Sequence, residues 1–102
     1  MGNRAVIALN KIDDNEIGIY LHWYGSPEQI EEFLQEARAL MADRLGDELY
    51  GTARLVQVIG NNIEGNLSFG LGRQGDLDCD NGDNGLYLVD TKTMKVTERR
   101  YN

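Results

Sequence analysis

Five aspartates, Asp76, Asp78, Asp80, Asp83 and Asp90, fall within the fifteen residues of DLDCDNGDNGLYLVD, and no lysine or arginine separates them. A hard cation such as Ca2+ is held by six to eight oxygens from carboxylates, amides and backbone. Asp76, Asp78, Asp80 and Asp83, with Asn81 and Asn84, supply such oxygens densely. The alternation D-x-D-x-D imitates the opening of an EF-hand loop, but the glycine comes one place late, at Gly82. Tyr87 then stands where the bidentate glutamate belongs. An EF-hand is therefore excluded on pattern, while an irregular Ca2+ or Mg2+ site stays open. The same stretch also reads as a turn. Asn81-Gly82 and Asn84-Gly85 tolerate positive φ, and Asp or Asn side chains satisfy main-chain N–H groups in tight loops. Crowded carboxylates repel one another unless a cation or a basic partner neutralises them.

Other groups with chemical potential are few. His22, the only histidine, ends the strand-like run EIGIYLHWY. Neutral imidazole can act as a general base near pH 7, yet no nucleophile or second histidine is placed beside it, and a strand histidine with one hydrogen-bond partner explains it as well. Cys79, the only cysteine, has acids on both sides, which discourages a thiolate. The segments GNNIEGN and FGLGRQG are glycine-rich but do not follow a strand and open a helix, so they are weak phosphate cradles. Tyr20, Trp23 and Tyr24, with Arg73, have the makings of a stacking platform, or of rings divided between core and sheet rim. A small-molecule or catalytic site at His22, Trp23 and Tyr24 requires a concave surface there.

The elements that must position these groups are legible in part. RAVIAL (4–9) is an apolar run of strand length. In 16–24, Ile17, Ile19, Leu21 and Trp23 alternate with Tyr20, His22 and Tyr24, a strand pattern. GSPEQ then signals a helix start: Ser26 as N-cap, Pro27 at the first helical position, Gln29 completing a capping box. At about 100° per residue, Ile30, Phe33, Leu34, Ala37, Leu40, Met41 and Leu45 share one arc. Glu28, Glu32, Glu36 and Asp43 lie opposite as an acidic stripe, and Gly46 ends the helix. Asp47 caps a second helix over 48–60, with Leu49, Ala53, Val56 and Ile59 or Gly60 inward. Gly51 weakens it by about 1 kcal/mol, and LVQVI alone also reads as a strand. A loop over 60–66 leads to strands at 66–73, 85–90 and 95–101, the last an edge with its charges outward, open to pairing with a second copy. The order β-β-α-α-β-β-β fits one α+β domain over 1–102: an antiparallel sheet with both helices on one face.

Composition bounds what that domain does. The net charge is −7, with 41% apolar and 26% charged residues. Segment 27–48 sets seven acids against two arginines, −5; segment 76–90 adds −5; segment 91–102 reverses to +3. Such a field repels phosphates, so direct nucleic-acid binding is disfavoured and a basic protein surface is attracted. A solvated acidic surface serving solubility is the plainer reading. No run approaches a membrane span. A secretory leader is not evident, position 6 is not the Ser or Thr of a myristoylation pattern, and a lone cysteine forms no internal disulfide, all of which fit a cytoplasmic protein.

At LHWYGSPE (21–28) and DNGDNGLYLVD (80–90) the chain resembles a group of small proteins encoded by phages, prophages and plasmids, with an HW-x-G step into a capped helix and a DNG turn before a late strand. The resemblance implies a mobile-element context, where small acidic proteins act as anti-defence inhibitors by occupying basic nucleic-acid sites. It brings no catalytic residues. The reading that follows is a non-enzymatic acidic binding protein without a cofactor, docking through Glu28, Glu32, Glu36 and Asp43 and through Asp76, Asp78, Asp80 and Asp83. A Ca2+-binding module at 76–85 is the alternative.

Overall fold

The computed structural model describes residues 2–65 and 67–102; Met1, and Asn66 with the expected start of a strand there, lie outside the described residues. The elements run β1 (Ala5–Leu9), β2 (Ile17–Leu21), α1 (Pro27–Met41), α2 (Glu48–Asn62), β3 (Phe69–Arg73), β4 (Leu86–Asp90) and β5 (Lys95–Arg100). This is the α+β order expected, with 48–62 helical.

The sheet is mixed rather than antiparallel. Its order is β3-β2-β1-β4-β5, and β1 pairs antiparallel with β2 but parallel with β4, Val6 opposite Leu86 through Leu9 opposite Val89. Since β3 is antiparallel to β2, β3 and β4 run the same way. Two strands of one direction cannot be joined by a tight hairpin. The connection, residues 74–85, therefore crosses the sheet face away from the helices. There Leu77 and Cys79 pack on Val6, Ala8 and Leu86. The Asp-rich segment is thus a crossover lid over the second face, which is why β1, flanked by strands and covered on both sides, is buried at all five residues.

Both helices cover the first face. Ile30, Phe33, Leu34, Ala37 and Met41 of α1 and Leu55, Val58 and Ile59 of α2 close over Ile7, Ile19, Leu21, Tyr87 and Val89. Ser26 Oγ accepts from Gln29 N at the start of α1, as its capping signal requires. Its end differs from expectation. The helix stops at Met41, where Ala42 takes φ 49° and donates its N–H to Arg38 O, and a short 3-10 turn follows. Leu40 and Leu45 are consequently half-exposed, and Asp43 lies on that turn, off the helix stripe.

Asp47 caps α2 through Tyr50 N, but of the expected inward set only Ile59 is fully buried. Gly51, Leu55, Val58 and Ile59 are buried, while Leu49 is 82% exposed, Ala53 is exposed and Val56 is only partly covered. Gly51 decides this. A Cβ there would overlap the carbonyl oxygen of Thr91, so the glycine side of the helix is the one that approaches the sheet most closely. Buried Thr91 holds the junction: its N–H and hydroxyl meet Asn10 Oδ1, and its hydroxyl lies 3.1 Å from that of Thr52.

No helix among the described residues is long and apolar enough to cross a membrane.

Candidate functional site

The acidic crossover is organised from inside by Asn81, which is buried. Its Nδ2 donates to the carbonyls of Asp78 and Gly85, and its Oδ1 accepts from Asp83 N and Gly85 N, all at 3.0–3.1 Å. Gly82 and Gly85 take φ +77° and +68°, the positive values that the two Asn-Gly pairs anticipate. The backbone is thereby turned so that the carboxylates face arginines from elsewhere. Arg4 Nε donates to Asp83 Oδ2 at 2.8 Å, and Arg4 Nη1 lies 3.6 Å from Asp78. Arg73 Nε donates to Asp76 at 3.2 Å. Hydrogen bonds from the Arg4 side chain, then from its main-chain N–H, hold the Asp83 carboxyl below its ordinary range. Asp80 is exposed with no such partner among the described residues.

Three of the four loop aspartates therefore have an arginine partner within the chain, Asp78 and Asp83 sharing Arg4 and Asp76 turning to Arg73. The described residues contain no group of three or more His, Cys, Asp or Glu side chains arranged to hold a metal ion. Cys79 donates through Sγ to Gln74 O. Burial first, and then the charges of Asp14 and Asp78, push its thiol up, so it is not a poised nucleophile.

The stripe on α1 has a different character. Glu28 and Glu32 are exposed with no ion-pair or hydrogen-bond partner among the described residues, whereas neighbouring Glu31 is bound by Arg38 at 2.7 Å. Glu36 is exposed and accepts only a neutral amide hydrogen bond, from Asn62 at 2.6 Å. Glu32 and Glu36, with Gln29, Phe33 and Asn62, line a depression of about 480 Å³ that reaches Tyr24. A second, of about 510 Å³, adjoins it, sharing Tyr24 and Gln29 and bounded by Trp23, Ser26 and Glu64.

The strand end thus carries a concave surface, but His22 is not part of it. His22 is exposed, with Nδ1 3.0 Å from the Tyr20 hydroxyl and its ring edge-on to Trp23 at 5.1 Å. Tyr24 does not share that face, as alternation had implied. At φ 68° it leaves the strand path and packs against the helix-side core. Gly25 follows because a Cβ there would overlap Asn3 O, and its carbonyl accepts from the buried Tyr87 hydroxyl at 2.7 Å. Trp23 is left 43% exposed at the groove rim. Aromatic faces beside carboxylates form an environment for a cation, through ring quadrupole and charge together. Asn62 and Glu64 have no signal of their own in the sequence, and Gln29 has one only as a helix cap, because the groove forms only when α1, the end of α2 and the β2–α1 turn meet.

Comparison of the chain with known protein families, with curated proteins and with solved structures finds no match.

Proposed function

We propose that the chain is a non-enzymatic acidic binding protein that captures a basic segment of a protein partner along the outer face of α1 and the adjoining groove. The observation that carries this reading is the adjacency of Glu32 and Glu36, which no cation of the chain neutralises among the described residues, to the groove rimmed by Tyr24 and Trp23. Glu28 extends the field along the helix, and Asp43 and Asp80 add to it from the flanks. Asp83 contributes little, being bonded twice by Arg4, and Asp76 and Asp78 contribute less than the helix acids because each has an arginine nearby. Charges so arranged accelerate encounter and select the partner, while the rings supply contact area. A protein site that handles nucleic acid has the required basic surface. Occupying it is the action of an inhibitor, in keeping with the resemblance to mobile-element proteins at 21–28 and 80–90.

Trp23 is the only tryptophan, so its emission reports on the groove directly. Titration with an arginine-rich peptide is expected to shift or quench that emission, and an equally long glutamate-rich peptide to leave it alone. Added salt should weaken the response, and Glu32→Lys with Glu36→Lys should abolish it. Emission indifferent to the basic peptide, or a response untouched by the double substitution, defeats the reading.

A further inference from the structure

The sheet has two edges, and they are built differently. β5, KVTERR, carries Lys95, Glu98, Arg99 and Arg100, and its pairing with β4 breaks register between Leu88 and Val89. Charges and a register break are the devices that keep an edge from recruiting another strand. β3, FGLGR, has none of them except a terminal Arg73. It pairs with β2 in unbroken register from Phe69 to Arg73 on one side, and its other side is unpaired.

The flank beside β3 is apolar and uncovered. Leu71 is 56% exposed, and Ile17 on neighbouring β2 is 54% exposed. Above them α2 turns Leu49 and Ala53 outward beside the half-covered Val56, and Leu49 lines one cleft together with Ile17. An exposed apolar stripe along a helix, next to an open strand, is a surface shaped for burial against protein.

Charge identifies what covers it. Residues 49–73 hold Arg54 and Arg73 against Glu64, a net +1, in a chain of −7. The cleft beside them sets Glu16, Glu48 and Asp90 against Lys11 and Lys92, so the flank as a whole has no acidic excess to draw a basic partner, whereas most other faces of two copies repel. This flank is where one copy can meet another without electrostatic cost. β3 is also self-complementary. In the antiparallel register that uses all five residues, Leu71 faces Leu71, Gly70 faces Gly72, and Phe69 faces Arg73 of the second copy, a ring-to-guanidinium pairing. A Cβ at Gly70 would meet nothing, so the backbone there is open to approach.

We propose that β3 is the seam of a symmetric dimer, in which two copies pair antiparallel strand to strand and bury Leu71, Ile17 and the outer stripe of α2. The contact is isologous and closed, and it is independent of the groove reading, which uses α1 and only the last turn of α2.

Sedimentation equilibrium of the full chain tests the seam. A dimer is expected, with Leu71→Lys raising the dissociation constant at least about tenfold, since it sets like charges face to face, and Val96→Lys on β5 leaving it unchanged. Leu71 is more than half exposed, so the lysine variant folds, which circular dichroism checks. Across an antiparallel pair facing residues lie about 4.5–5.5 Å apart at Cα, within disulfide reach. Leu71→Cys with Cys79→Ser should therefore cross-link under mild oxidation into a covalent dimer. A monomer at every concentration, or a dimer that Val96→Lys dissolves and Leu71→Lys does not, overturns the proposal.

Discussion

Arg4 and Asp83, seventy-nine residues apart in the chain, meet through two hydrogen bonds to one oxygen: the Arg4 main-chain N–H donates to Asp83 Oδ2 at 3.0 Å and its Nε to the same atom at 2.8 Å. The pair fastens the crossover to the first strand. Because the Asp83 carboxyl is held below its ordinary range when folded, the folded state binds the proton less readily than the unfolded chain. Its contribution to stability is therefore fully present above about pH 4, the unfolded carboxyl value. It is lost as pH falls through the lower folded value. Asp83→Asn should lower Tm at neutral pH, and the difference from the parent chain should shrink progressively in acid. Thermal melts stepped from pH 7 to pH 2 measure this; a constant difference across the series would contradict it.

Asn81→Ala should cost about 2–4 kcal/mol. It removes four good hydrogen bonds at once and strands main-chain groups of Asp78, Asp83 and Gly85 in a covered loop. Urea unfolding gives the number. Added Ca2+ should restore nothing, since the loop is held by an amide and arginines.

The two glycines on α2 make an opposed pair of predictions. Helix propensity favours alanine by up to about 1 kcal/mol at each. At Gly60 a new Cβ meets Phe69 at an ordinary 3.5 Å, so Gly60→Ala should stabilise by about 0.5 kcal/mol. At Gly51 it would overlap the Thr91 carbonyl and push the helix from the sheet. Gly51→Ala should destabilise by about 1–3 kcal/mol. Equal effects at the two positions would mean that close approach does not orient α2.

Cys79 should react sluggishly. With its thiol pushed up by burial and by Asp14 and Asp78, alkylation at pH 8 should run several-fold slower than for an exposed cysteine peptide, and Asp78→Asn should speed it modestly. A rate equal to the peptide's would contradict the packing of the crossover.

What could be read from the sequence was local. The start of α1 is legible because Ser26 and Pro27 each solve a problem posed by a helix terminus, Ser26 by accepting from Gln29 N. Its end is not, because Ala42 at φ 49° takes the positive φ that residue preference assigns to Gly46. The inward face of α2 is only partly legible, at Ile59, because in sequence Gly51 counts as a propensity cost and in the fold it is the point of closest approach. The mixed sheet had one sign, the unbroken apolar run AVIAL, which marks a strand flanked on both edges and covered on both faces. The acidic loop reads as unpaired because its arginines stand outside it, Arg4 just before β1 and Arg73 at the end of β3. The groove likewise depends on contacts between α1 and the end of α2, where neither segment carries the site alone.

The parallel pairing of β1 with β4 has a temporal consequence. A nascent chain makes its central strand first and that strand's second neighbour only after some eighty further residues, so one whole edge and one whole face of β1 wait, bare and oily, while the rest is synthesised. Closing so distant a pairing is slow. The interval before residue 90 leaves the ribosome is therefore when this chain is most exposed to aggregation and most in need of a chaperone's cover.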